Sequence, residues 1–144
     1  MPKRAEFVQG PRTQARAGQF FVDVEVRAQP YASDAKQLRA LIDTESLFSW
    51  IPAHVLEDLG IMRRQPIAFQ SASGEQFSRL AGYAFFTTAG AQTVDTVIFA
   101  EPGDPTLLGG RALAGMNLSP DGSAKRLVPG GPMPAPVNIA EKPK

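Results

Sequence analysis

The clearest alternation of apolar and polar positions runs through residues 20–27, where every second residue is Phe or Val and Asp23 lies between them. Successive side chains of a strand point to opposite faces, so this pattern predicts a half-buried strand. Residues 37–42 predict a second strand, which alternates at first and becomes wholly apolar where it enters the core. That strand stops abruptly at Asp43.

Short apolar runs and turn residues continue along the chain. Residues 50–60 predict a short helix, with Ser49 as N-cap, Pro52 in the first turn and Gly60 just past the end. Residues 70–75 predict a hairpin tip with Gly74 available for positive φ. Further strands are predicted at 67–69, 77–88, 93–100, 107–109 and 125–128, with a second short helix at 111–114. Together these elements predict an all-β protein whose sheet is closed or sandwiched.

Composition narrows the chemistry. The chain has 144 residues, the size of one ordinary domain, and 43% of them are hydrophobic. The absence of cysteine excludes a disulfide framework, a thiolate metal site and a cysteine nucleophile, and a single histidine disfavours a Ser/His/Asp triad. No run is long enough for a membrane span, and no apolar segment of the roughly 7–15 residues typical of a secretory signal lies between the first cationic residues and Phe20, so a cytoplasmic protein is predicted.

Charge is distributed unevenly. Residues 1–16 carry a net charge of +3 and residues 125–144 another +3, whereas the whole chain carries +1, so the centre is acidic. Nucleic acid is therefore not the expected partner, because phosphate binding needs basic residues clustered on a folded face. The pattern predicts a flexible basic arm at 1–18, one domain at 19–128 and a disordered Pro/Gly-rich tail at 129–144.

Asp43 is the candidate for chemistry. A carboxylate at the end of a buried strand is costly unless it is paired or hydrogen-bonded, and the hydroxyls of Thr44 and Ser46 follow it. The alternative is that Asp43 only begins a turn or caps the next segment. His54, in the short helix, is expected to be a surface or packing residue. Glu101 and Asp104 could suggest a calcium loop, but neither a metal nor a cofactor is predicted.

An ordered set of segments resembles the retropepsin-like aspartic proteases, especially their single-domain bacterial members. Residues 40–46 read Ala-Leu-Ile-Asp-Thr-Glu-Ser, a hairpin follows at 69–77, and Leu107-Leu-Gly109 precedes a short helix. Trp50-Ile-Pro, Leu56-Glu-Asp-Leu-Gly60 and the loop from Glu101 extend the similarity over roughly residues 20–128.

The resemblance implies a small closed barrel of retropepsin type that works as a homodimeric aspartic endopeptidase on extended peptides. Only one motif of this kind is present, Asp43-Thr-Glu-Ser46, so a complete site would need one Asp43 from each of two chains. The resemblance further implies that Thr44 locks the loop across the dimer and that Ser46 supports the carboxylate. The residues expected to contact substrate are Glu45, Ser71, Ala72, Ser73, Gly74, Leu108 and Gly109.

Glu45 departs from the family, which has glycine at this position. In a dimer, two glutamates facing the Asp43 pair would repel the two aspartates or recruit a cation, whereas outward-pointing ones would leave the loop almost unchanged. The family also often has an acidic residue shortly after the motif and an arginine directly after the second glycine. Leu47 and Gly110 stand there instead, with Arg111 one position later. The competing hypothesis is a catalytically silent dimeric module that keeps the peptide groove but is disabled at Glu45.

Overall fold

Ten strands and two short helices form the part of the chain that the computed structural model describes, residues 6–8 and 19–139. The predicted all-β class with one or two short helices is confirmed. In chain order the elements are β1 (Glu6–Val8), β2 (Phe21–Arg27), β3 (Lys36–Asp43), β4 (Ser49–Pro52), α1 (Ala53–Asp58), β5 (Gln65–Gln70), β6 (Gln76–Thr88), β7 (Ala91–Ala100), β8 (Leu107–Gly109), α2 (Gly110–Gly115), β9 (Leu118–Asp121) and β10 (Arg126–Pro129).

Eight strands belong to one sheet, in the order β1-β3-β2-β6-β7-β4-β8, with β5 added at β6. Strand β8 also pairs in parallel with β3, so six strands, β3-β2-β6-β7-β4-β8, close into a ring. Closure pairs the backbone of strands that would otherwise be sheet edges. Strands β9 and β10 form a separate antiparallel pair.

One face of the ring encloses the central core, which the predicted alternation supplies. Val24 and Val26 of β2 are fully buried, whereas Asp23 before them is exposed and Glu25 between them is half-buried. In β3, Leu38, Ala40 and Ile42 point to the same core. The other buried members are Phe20, Ile51, Val55, Leu56, Ile61, Ala84, Phe86, Val97, Phe99, Leu108, Ala112, Leu113 and Met116.

The predicted helix at 50–60 is wrong in its first part. Ser49–Pro52 is the strand β4, buried at every position, and it pairs in parallel with β7. The helix begins only at Ala53, so Ser49 is not its N-cap; the Ser49 hydroxyl instead accepts a hydrogen bond from the Gly109 amide at 2.9 Å. Pairing with β7 overrides the local helix signal. The predicted end is right, since Gly60 has φ +75°.

The ends of the chain are described only in part. Within the predicted basic arm, Glu6–Val8 forms β1, which pairs in parallel with β3, and the other residues of 1–18 lie outside the described residues. Residues 130–139 contain no helix or strand, and 140–144 again lie outside the described part. Disorder of the tail therefore stays a prediction. Neither α1 nor α2 is long and apolar enough to cross a membrane, and they are the helices among the described residues.

Candidate active site

Asp43 is the last residue of β3 and lies beside Gly109, its partner in the parallel pairing with β8. This arrangement follows from the sequence, because the three apolar residues Ala40 to Ile42 are buried and Asp43 is the first polar residue after them. Asp43 is half-buried, and Thr44 and Glu45 after it are exposed. The carboxylate thus stands at the rim of the ring, reachable by a ligand.

Hydrogen bonds hold the loop after Asp43 in one shape. The Glu45 amide donates to Asp43 Oδ1 at 3.1 Å, and the Ser46 amide donates to the Asp43 carbonyl at 3.3 Å. The Ser46 hydroxyl, predicted to support the carboxylate, donates instead to the Phe48 carbonyl at 2.8 Å. A backbone amide therefore orients Asp43, while Ser46 closes the loop behind it.

Two glycines allow the start of α2 to pack closely against this loop. A Cβ on Gly109 would lie 2.4 Å from the Phe48 carbonyl oxygen and 2.9 Å from that of Ser46, so only glycine fits. The Gly110 amide donates to the Ser46 carbonyl at 2.8 Å, and the Arg111 amide donates to the Leu47 carbonyl at 3.1 Å. These contacts hold the Asp43 loop against the Gly109–Gly110 turn.

A row of apolar residues crosses six strands next to Asp43. In register order the row is Phe21, Leu41, Leu107, Trp50, Ile98 and Ala81. Leu41 is two residues before Asp43, and Leu107 is two before Gly109, so they share a sheet face with the carboxylate. We call the buried set Leu41, Trp50, Ala81, Ile98, Ala100 and Leu107 the Trp50 cluster.

The β5–β6 hairpin covers this cluster. Phe69 and Phe77 are cross-strand partners with ring centroids 5.8 Å apart, and Phe69 lies 4.9 Å from Trp50. Both phenylalanines are only partly buried. At the tip, Gly74 has φ +89°, as predicted, and its amide donates to the Ser71 carbonyl.

The predicted substrate contacts lie in three places. Ser71, Ala72, Ser73 and Gly74 form the hairpin tip, and Gly109 is buried under the Asp43 loop. Leu108 is fully buried in the central core, so its side chain offers no surface to a ligand, whereas Leu107 faces the Trp50 cluster. Alternation along β8 distinguishes the two leucines, but only once Gly109 is known to pair with Asp43.

An ion pair fastens the hairpin to the loop before β8. Arg79 of β6 donates to both carboxylate oxygens of Asp104, at 2.6 and 2.9 Å, and the Glu101 amide also donates to Asp104. The Arg79 hydrogen bond holds the pKa of Asp104 below its usual range. Asp104, considered above as a calcium ligand, is thus bound by an arginine. Among residues 19–139 no group of three metal-ligating side chains converges.

Arg111 makes an ion pair that the sequence does not predict. Its Nε lies 3.2 Å from Asp95 Oδ1 on β7, and its guanidinium lies 5.9 Å from the ring centre of Phe48. The Asp95 side chain is only 6% exposed, and burial raises the pKa of its carboxyl. The residues are 16 positions apart, and no local pattern connects them.

Comparison with known proteins yields a structural similarity. No family model and no curated protein matches the chain. The structure is similar to the solution structure of the protease of simian foamy virus (mac), with a TM-score of 0.48 and 19% sequence identity, over 65% of this chain and 91% of that chain. Membership of the retropepsin-like family stays a prediction from the sequence motifs.

Proposed function

We propose that the protein is an aspartic endopeptidase that acts as a homodimer, with one Asp43 from each chain. The observation that carries the proposal is the setting of Asp43: a half-buried carboxylate at a strand end, oriented by the Glu45 amide and adjoining both the Gly109 turn and an apolar cluster. One carboxylate activates water poorly when it has no acid partner. A second copy related by two-fold symmetry would supply that partner.

In such a dyad the two carboxylates share one proton, because both cannot ionise cheaply at close range. The ionised Asp43 removes a proton from water as the oxygen attacks the peptide carbonyl carbon. The protonated Asp43 of the other chain gives its proton to the carbonyl oxygen. Collapse of the resulting diol breaks the C–N bond, and a proton passes to the leaving amine.

The Trp50 cluster supports a preference for apolar substrate side chains. Leu41 and Leu107 lie on the sheet face of Asp43 and are buried, and the partly exposed Phe69 and Phe77 pack against the cluster to which they belong. A peptide lying along the exposed parts of the Phe69 and Phe77 rings would bury apolar groups there, at about 25 cal/mol per Å² removed from water. We therefore expect cleavage next to Leu, Phe or Met rather than next to charged residues.

The deciding experiment compares wild type with Asp43→Asn on an unstructured protein substrate at mildly acidic pH. The matched control is Asp23→Asn, an exposed aspartate on β2 far along the chain from the site. Cleavage by wild type and by the Asp23 variant, and its loss in the Asp43 variant, would support the proposal. Equal residual cleavage in all three preparations would point to a contaminating protease and refute it.

The second candidate is a silent peptide-binding module. The exposed Glu45 side chain next to Asp43 favours this module, since Glu45 adds a negative charge where the family has glycine. Isothermal titration with peptides that contain Leu, Phe or Met separates the two functions. Binding without cleavage assigns the module, and cleavage assigns the peptidase.

The hairpin would serve as a lid over the bound peptide. Its tip is stabilised by contacts within the tip itself, such as the 2.9 Å contact between the Ser71 and Ser73 hydroxyls. We expect rapid amide hydrogen exchange at residues 71–74 in the free protein and slower exchange with a peptide bound. Slow exchange in the free protein would contradict a lid.

A further inference from the structure

Helix α2 lies along β7 and is seated at two points. Arg111 meets Asp95 near the start of the helix, and a Cβ on Gly115 would lie only 2.3 Å from Thr93 Oγ1 near its end. Thr93 and Asp95 are two residues apart on a strand and share a face, while Arg111 and Gly115 are four apart on a helix and share a face. Both contacts therefore fix the same helix on the same strand.

The first residues of α2 in turn hold the Asp43 loop. The amides of Gly110 and Arg111 donate to the carbonyls of Ser46 and Leu47. The Arg111 guanidinium also reaches the ring of Phe48. A displacement of α2 along β7 would move these donors, and the loop carbonyls would have to follow or lose their hydrogen bonds.

The buried position of the Asp95 carboxylate is unfavourable for the stability of the fold. Its Oδ2 is buried and has no hydrogen-bond partner among the described residues, and its one cationic neighbour, Arg111, is 55% exposed. A buried carboxylate oxygen without a partner destabilises the fold, and such groups call for an explanation. An apolar residue would fill the position at lower cost, so packing alone does not account for Asp95.

We propose that Asp95 and Arg111 are positioning residues, which fix α2 on β7 and through it hold Asp43 in its working orientation. The consequence for catalysis rests on the proposed peptidase function. The consequence for the loop does not depend on that function, since it follows from the contacts within one chain.

Arg111→Ala, Arg111→Lys and Asp95→Asn test the proposal in the full chain, with Arg63→Ala as the matched control. Arg63 also pairs with a carboxylate, Glu57, and stands 4.9 Å from an aromatic ring, that of Phe99, and neither of these partners belongs to the loop. The first measurement is amide hydrogen exchange at residues 44–47 and 110–111. We expect it to be about tenfold faster in Arg111→Ala, intermediate in Arg111→Lys and unchanged in Arg63→Ala.

The second measurement is kinetic. If the chain is a peptidase, Arg111→Ala should lower kcat by about tenfold with KM little changed. Adding Asp95→Asn to this variant should lower kcat little further, because both substitutions remove the same contact. Loop exchange equal in Arg111→Ala and Arg63→Ala would overturn the proposal, whatever the activity. Fast exchange in a chain without activity would keep the positioning role and refute only the peptidase. If Arg111→Ala does not fold, the loop exchange of Arg111→Lys, which keeps the charge, is compared with that of Arg63→Ala instead.

Discussion

At the residue scale, Glu45 is the point at which this chain departs from the motif it resembles. The loop accepts a side chain there without strain, because Glu45 is not among the described non-glycine residues with positive φ, which are Ala89, Asn117 and Lys125. Its side chain is exposed in the single chain. Any effect of Glu45 must therefore arise from charge or bulk toward a substrate or a second chain, and not from the local backbone.

We expect Glu45→Gly to raise peptidase activity at neutral pH and to weaken the pH dependence of dimerisation. In a dimer, two Glu45 and two Asp43 carboxylates would gather in a small volume and repel one another when charged. Glu45→Gln separates the causes, since it removes the charge and keeps the size. Activity equal in the Gln and Gly variants indicates repulsion, and a gain only in the Gly variant indicates bulk. A loss in both would mean that Glu45 has a positive role.

Gly109 is the second decisive residue. Its φ of −92° is open to any amino acid, so a substitution reports only on space. Gly109→Ala would force Cβ against backbone atoms of Phe48 and Ser46, and we expect a loss of about 1–3 kcal/mol in the free energy of unfolding, with displacement of the Asp43 loop. Gly110→Ala is the control, because the nearest atom to its Cβ would be the Thr44 carbonyl oxygen at 3.2 Å, a much milder contact than the 2.4 Å at Gly109. Urea denaturation of both variants checks this, and equal stabilities would refute the steric argument.

At the element scale, the β5–β6 hairpin is joined to the loop before β8 by Arg79 and Asp104. Their side chains are 16% and 17% exposed, so this pair is much less hydrated than an ordinary surface ion pair. Arg79 also stacks 4.8 Å from the ring centre of Phe77, which packs against the Trp50 cluster. The pair therefore holds the base of the hairpin and leaves the tip free.

We expect Arg79→Met to lower the free energy of unfolding at neutral pH by about 1–3 kcal/mol, since it leaves a largely buried carboxylate without its donor. The pKa of Asp104 is lowered in the folded state, so the stabilisation from the pair is fully present above the unfolded value of about 3.9 and is lost as pH falls through the folded value. Wild type and variant should therefore converge in stability on acidification below about pH 4. Denaturation across pH checks this.

The control for the hairpin pair is Arg63→Met. Arg63 and Glu57 are 43% and 50% exposed, and removing such a surface pair should cost about 0–1 kcal/mol. Equal losses in the two variants would show that burial does not strengthen the Arg79–Asp104 pair.

At the scale of the whole molecule, the proposed site is incomplete in one chain. We expect a two-fold dimer with Asp43 and Thr44 at its interface. Because the chain has no cysteine, Thr44→Cys introduces a single thiol near the axis, and mild oxidation should give a covalent dimer. His54→Cys, at an exposed position of α1, should not. Sedimentation of wild type at high micromolar concentration gives the independent check, and a monomer there would contradict the assembly.

Much of the fold is encoded locally. The alternation through 20–27 and the apolar run before Asp43 predict β2 and β3, because a strand with one buried face needs that period. Gly60 and Gly74 predict the end of α1 and the hairpin tip, and both have positive φ. The same local logic predicts that Asp43 emerges at the end of a buried strand, which is where the structure has it.

Other features depend on contacts between distant segments. Residues 49–52 form a strand because β7 and β8 pair with them, although Ser-Trp-Ile-Pro locally suits the start of a helix. The choice between Leu107 and Leu108 as the neighbour of Asp43 depends on a parallel register between β3 and β8. The partners of Arg79 and Arg111 are 25 and 16 residues away. Local sequence sets the period of each strand, but register and side-chain partners are settled only when the ring closes, because each strand then has two neighbours to satisfy at once.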